Sequence, residues 1–285
     1  MIALLLDALA TGGLYATVAL GLSLVAGVMR LLNLAQGEFL VGSVYLMLWV
    51  GTRFAVDPLM ATLLVLPLIG LIAYGLQRTL LQDLMSAGGE APLVATFGIS
   101  IAAQALFQAG FGPAAVTIAS DYGASGTTLW GHPMRLVSLL ALGLGVALTA
   151  LTHLVLTRTT FGRALRAAAE DPMAAQSLGV DVRHVFALCF ALGAMLTAAG
   201  ASVVGLGFSV DPASGLLWLL RAVAVVVIGG MGSVWGTLAA AVLLGLVEEL
   251  GAAWVGPEYR DVIMFALLVL ILVLRPAGLF GKALR

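Results

Sequence analysis

The sequence predicts an all-α fold, a polytopic transmembrane helical bundle of about eight or nine spans. Hydrophobic residues make up 62% of the 285-residue chain and charged residues only 9%, whereas soluble domains carry about a quarter charged residues. Several apolar stretches are long enough for a bilayer core of roughly 30 Å. The short alternating strands of a membrane β-barrel do not occur. A net charge of −1 provides no field that would select nucleic acid. Cys189 is the single cysteine, which excludes an intrachain disulfide.

The first span covers about Ile2 to Met29. Met1 to Leu6 lack the basic start and small-residue cleavage site of a signal peptide, so this span is expected to remain as a signal anchor. Asp7, Thr11 and Tyr15 recur every four residues near one helix face. In lipid such a stripe is costly and should face the bundle interior, where Gly12 and Gly13 admit a close neighbour. After Arg30, Asn33 with Gln36 three residues on reads as a capping box opening span two, which runs to about Thr52. Span three runs from about Pro58 to Leu76, and Gln77 to Glu90 is a polar segment. Span four, about Ala91 to Phe111, carries Thr96, Ser100, Gln104 and Gln108, each step advancing the face by only about 40°. This stripe fits a translocation lining or hydrogen bonds between packed helices.

Gly110 to His132, rich in Gly, Ser and Thr, reads as a loop, and span five as about Met134 to Thr157. The stretch Arg158 to His184 then gathers seven charged side chains: Arg158, Arg163, Arg166, Glu170, Asp171, Asp181 and Arg183. The alanine-rich run around Ala164 to Ala169 favours a helix that Pro172 breaks. A second short helix fits Pro172 to Leu178, with Gly179 at its stop. Span six follows at about Val185 to Phe208. Ala222 to Trp254, interrupted by glycines 229, 230 and 232, fits one bent helix or two short spans. The last span is about Tyr259 to Leu274, followed by Arg275-Pro276 and a basic tail of Lys282 and Arg285. The positive-inside rule places the arginine-rich stretch in the cytoplasm. Parity then favours nine crossings over eight, with Met1 outside and the tail inside.

Enzyme and metal signatures are missing from the sequence. There is no phosphate-binding G-x-x-x-x-G-K-[ST] loop, and the only lysine, Lys282, precedes Ala283. His132, His153 and His184 lack metal-ligand spacing, and no G-x-S-x-G elbow occurs. Neighbouring Glu248 and Glu249 read as snorkelling or capping acids near the outer end of a span. No catalytic residue, metal site or cofactor is expected.

Four segments, in order along nearly the whole chain, resemble the permease of branched-chain amino acid ABC importers. They are Gly12-Gly-Leu-Tyr-Ala-Thr-Val-Ala-Leu-Gly-Leu-Ser leading to Leu32-Asn-Leu-Ala-Gln-Gly-Glu38, the run Gly162 to Asp181, Ile228-Gly-Gly-Met-Gly-Ser-Val-Trp-Gly236, and Tyr259-Arg-Asp261 with Leu274-Arg-Pro-Ala-Gly-Leu279. Gln36 stands where the family usually carries histidine, and Leu34 where it usually carries phenylalanine. The resemblance implies one transmembrane permease domain, residues 1–285, in the bacterial inner membrane, importing branched-chain or other apolar amino acids. Permeases for urea or short amides look similar, and an ion-coupled carrier using Asp7 or Glu248 and Glu249 is the competing class. It implies two ATPase subunits, a second homologous permease subunit, an extracytoplasmic binding protein and surrounding lipid as partners. The loop at about 158–184 becomes the ATPase-coupling element: Met173 and Leu178 offer apolar contacts before the Gly179 stop, and Arg163, Arg166, Glu170 and Asp171 orient them. Asn33, Gln36 and Glu38 are candidates for a gate or for a helix cap.

Overall fold

The computed structural model describes residues 2–87, 90–129, 132–275 and 277–281. Met1, Pro276, Lys282 and Arg285 therefore lie outside the described residues. Among the described residues, six helices are long and apolar enough to cross a membrane. These are α1 (Ile2–Met29), α3 (Pro58–Leu76, with its continuation), α5 (Ala91–Phe111), α7 (Leu136–Arg158), α10 (Val182–Gly207) and α12 (Val234–Val255). The count of eight or nine spans is not reached. Helices α11 (Ser214–Gly229) and α13 (Arg260–Leu274) are short, and α2 (Gln36–Phe54) carries Glu38 and Arg53.

Helices α1 and α10 form the core, and α3, α5, α7 and α12 keep most of their surface outward. Small residues cause this, because they let backbones approach where lipid supplies no hydrophobic drive. A Cβ on Gly12 would lie 2.7 Å from the Val242 Cα of α12, and one on Gly13 2.5 Å from the Leu142 Cα of α7. The two glycines thus seat α1 between α7 and α12, as their position in the sequence led us to expect. Gly27, at the other end of α1, meets Gly232 beside the start of α12. The glycine-interrupted stretch is two helices, for α11 ends at Gly229, Gly230 takes φ +89°, and α12 begins at Val234.

Within the polar segment, Gln77–Leu81 is a π-helical turn that carries α3 into α4 (Gln82–Ala87). Both Gln77 and Leu81 are buried, so the polar glutamine signals an inward face and not a chain exit. Residues 112–135 also hold more structure than the loop expected from their composition. Short α6 (Asp121–Ala124) precedes a hairpin in which β1 (Gly126–Leu129) pairs antiparallel with β2 (His132–Arg135). This segment closes one end of the bundle, where Ile118 donates to the Gly205 carbonyl at 2.8 Å and Val116 bridges Val210. Tyr122 is tied to the α2–α3 turn; its hydrogen bond to Asp57, then that carboxylate's charge, hold the phenol above its ordinary range.

The arginine-rich stretch folds at the opposite end as two short helices, α8 (Thr160–Glu170) and α9 (Pro172–Ser177). Thr159 accepts from the Gly162 amide at 3.0 Å to start α8. Asp171 accepts from the amides of Met173 and Ala174 at 2.9 and 3.0 Å to start α9. Gly179, at φ +86°, stops it. The Pro172 break and the Gly179 stop are the signals read from the sequence, and the Thr159 and Asp171 caps add to them.

Candidate functional site

The connection between α1 and α2 does not lie on the surface. Arg30 takes the left-handed conformation (φ 51°) and ends α1, and the chain then turns inward so that Leu31, Asn33 and Ala35 are buried. Gln36 comes to rest against Gly21 of α1. Its amide donates to the Thr197 hydroxyl at 2.5 Å and to the Gly193 carbonyl at 3.3 Å, both near the middle of α10. Helix α2 therefore starts at mid-depth in the bundle. Irregular backbone at such depth is tolerated only where protein surrounds it.

Asn33 and Gln36 do not form the expected capping box. The helix N-cap is Ala35, with no side-chain cap. Asn33 Oδ1 accepts from the Ala35 amide at 3.1 Å and its Nδ2 donates to Gln36 Oε1 at 3.0 Å, while the Gln36 amide is spent on α10. Tertiary hydrogen bonding outcompeted the local motif because no water reaches this depth to satisfy those groups.

Two members of the α5 stripe join this cluster. Thr96 accepts from the Leu34 amide at 3.2 Å, and Ser100 donates to Glu38 Oε1 at 3.1 Å. Gln104 is half-buried and Gln108 exposed, farther along α5 and away from these partners. The Glu38 side chain is buried, and its Oε2 has no hydrogen-bond partner. Gly37 touches the Gly215 carbonyl, and Gly215 sits against the Glu38 carboxylate. The N-termini of α2 and α11, neither capped by a side chain, thus converge on one buried carboxyl group.

A second polar centre lies at the end closed by residues 112–135. Tyr15 donates to Glu248 Oε2 at 2.6 Å and Thr11 to Glu249 Oε1 at 3.0 Å, so these two members of the α1 stripe face inward as expected; Asp7 is exposed. Arg260 holds Glu249 with both arms at 2.8 and 2.7 Å and lies 3.6 Å from Glu248. Its neighbour Asp261 pairs with Arg221 at 3.2 Å. Glu248 is 3% exposed, which corrects its reading as a snorkelling or capping acid. Sequence reasoning missed Thr197, Arg221 and Arg260; for Arg260 and Asp261 the Tyr259-Arg-Asp261 run was the available signal. No metal-holding group of His, Cys, Asp and Glu occurs among the described residues. An open groove of about 770 Å³ along α13 is lined by Val262, Phe265, Val269 and Val273 and offers little to a polar solute.

The residues assigned to coupling all lie at the α8–α9 end. Arg163, Arg166, Glu170, Asp171, Met173, Leu178 and Gly179 are exposed, while Leu165, Ala168 and Ala175 point into the bundle. Arg166 also donates to the Leu156 carbonyl at 2.7 Å, capping the last turn of α7.

Comparison with known proteins places the chain among permeases, and its full-length matches are to branched-chain amino acid systems, while 45% of the chain is also 33% identical to the fructose import permease protein FrcC of Rhizobium meliloti. A family described as "Branched-chain amino acid transport system / permease component" matches residues 4–272. The chain is 30% identical to the high-affinity branched-chain amino acid transport system permease protein BraD of Pseudomonas aeruginosa, over 98% of this chain and 95% of the relative. It is 29% identical to the corresponding permease protein LivH of Escherichia coli, over 95% and 92%. To the E. coli permease protein LivM it is 32% identical over 44% of this chain and 29% of that one. No solved structure matches.

Proposed function

We propose a function that proceeds from the family, because the chain belongs to the branched-chain amino acid transport permease family. It is the transmembrane permease subunit of an inner-membrane ATP-binding-cassette importer that moves branched-chain or other apolar amino acids inward by alternating access. Separate ATPase subunits supply the energy, a binding protein delivers the solute, and a sister permease of the LivM kind completes the pair. In this reading α2, α11 and α13 add to the six long helices to give eight or nine membrane segments. Thr96, Ser100, Gln104 and Gln108 line the pathway, and Asn33, Gln36 and Glu38 gate it where α2 begins.

The observation that carries the reading is the exposure of Met173 (80%) and Leu178 (84%) at the α8–α9 end. Capped by Asp171 and stopped by Gly179, this element is ordered without its partner and presents an apolar pair ringed by charge. That suits a groove on a protein that pushes. The competing ion-coupled reading loses two of its three carboxylates, because Glu248 and Glu249 are engaged by Tyr15, Thr11 and Arg260, and keeps Asp7. The test is co-purification of the ATPases in gentle detergent, with uptake measured alongside. Leu178→Glu with Glu170→Arg, which spares the Asp171 cap, should fold normally, release the ATPases and abolish uptake. ATPase retention with full uptake refutes the coupling role, and uptake that survives ATP depletion but collapses with an uncoupler refutes the importer.

A further inference from the structure

At the end of the bundle remote from α8 and α9, a cavity of about 280 Å³ opens between α1, α7, α10 and α12. This lies just below the roughly 300 Å³ at which small-ligand pockets start, a volume that suits one small metabolite at most. Its lining carries both signs of charge: Asp7 and Glu249 against Arg135 and Arg260. Glu249 and Arg260 satisfy each other. Asp7 and Arg135 are exposed and form no hydrogen bond or ion pair among the described residues. The N-terminus of α7 opens here through Val137 and Ser138, with no side chain capping it; the Leu136 amide is spent on the Ser125 carbonyl at 3.1 Å, and the following first-turn amides add to the positive side. Leu14 and Phe208 supply apolar floor.

We propose that this cleft receives the zwitterionic head of a free α-amino acid. The carboxylate lies on Arg135, Ser138 and the α7 first-turn amides that follow Leu136, the ammonium on Asp7 and the edge of Glu249, and the side chain over Leu14 and Phe208. The proposal rests on the reading of the chain as an amino-acid permease and gives that permease a receiving subsite at the end opposite the coupling helices. A phosphatidylethanolamine headgroup presents the same pair of charges, so the experiment must separate the two sources.

The assembled transporter is placed in nanodiscs of phosphatidylglycerol, with or without phosphatidylethanolamine, and binding of radiolabelled L-leucine is measured without ATP or binding protein. Competition with L-leucinamide, which lacks the carboxylate, and 4-methylpentanoate, which lacks the ammonium, assigns each ligand group. Arg135→Gln should weaken L-leucine roughly tenfold and leave L-leucinamide unchanged, and Asp7→Asn should weaken L-leucine similarly and leave 4-methylpentanoate unchanged. Unchanged L-leucine affinity in both variants overturns the site. So does phosphatidylethanolamine that displaces L-leucine and co-purifies with the unmutated transporter but not with the variants. If cells take up leucine through the transporter while both variants keep its KM, the cleft alone is wrong. If the transporter moves no amino acid, the underlying reading is wrong.

Discussion

Replacing Arg260 by Met removes the cation that grips Glu249 and faces Glu248, which keeps Arg221 as a second, nearby cation. Arg260 grips Glu249 at 2.8 and 2.7 Å and stands 3.6 Å from Glu248, whose side chain is only 4% exposed. After the substitution Tyr15 is the remaining donor to Glu248. Breaking a buried ion pair from one side costs about 3–5 kcal/mol. The Arg260 side chain is 37% exposed, so water recovers part of this and about 2–3 kcal/mol remains. At roughly 2 °C per kcal/mol for a chain of this size, the unfolding midpoint should fall by about 5 °C. Heating in detergent followed by fluorescence-detected gel filtration reads this directly. Arg260→Lys, which keeps the charge but loses the fork, should fall in between. Adding Glu248→Gln and Glu249→Gln to Arg260→Met should recover most of the loss, because the damage is uncompensated charge and not a missing contact. If Arg260→Met melts with the parent, or the triple variant is the least stable, the reasoning fails.

Gly37→Ala drives a methyl into the Gly215 backbone, 2.5 Å from its carbonyl carbon, and should cost about 1–3 kcal/mol in the same assay. Gly98→Ala, with nothing within 4 Å of the added Cβ, should be neutral or gain up to about 1 kcal/mol. Gln36→Leu strips donors and acceptor from Thr197, Gly193 and Asn33 and should lose about 1–2 kcal/mol, while Gln36→His, which keeps a ring N–H toward Thr197, should lose less. Gln104→Leu should impair uptake more than assembly, and normal uptake with normal complex yield counts against its lining role.

Helix positions were legible where local chemistry decides them. The predicted ends of α1, α3 and α5 fall at Ile2–Met29, Pro58–Leu76 and Ala91–Phe111, since Pro58 and Pro92 mark first turns and apolar runs define the rest. The short helices α8 and α9 were legible for the same reason, through the alanine-rich run, the Pro172 break and the Gly179 stop within their own segment, although the Thr159 and Asp171 caps went unread. Burial order was not legible. Helices α1 and α7 read alike as apolar runs, yet one is central and the other peripheral. The site was legible as residue types but not as partners. Asn33 and Gln36 carry a capping signature, but the partners that claimed Gln36, Gly193 and Thr197, lie on α10 far along the chain. Glu248 looked like an acid at a helix end because Tyr15 and Arg260 become its neighbours only when α1 and α13 close around α12.

The three polar layers of the bundle meet the same helix. Helix α1 reaches the Glu248–Arg260 network through Thr11 and Tyr15, the mid-depth cluster through Gly21, and the α8–α9 end through Gly27 and its packing on α8. A displacement delivered at α9 reaches α1 and α7 through the buried face of α8, and reaches α10 both through α8 and directly. Leu165 is fully buried on that face, and Leu165→Ala opens a cavity worth about 2–5 kcal/mol of lost packing. Met173 and Leu178, which would hold the ATPase, are untouched by it. The variant should keep its ATPase partners and their ATP hydrolysis yet import less solute per ATP, because a loosened joint absorbs the stroke. Solute imported per ATP equal to that of the parent, in a complex of normal composition, would show that the stroke bypasses α8.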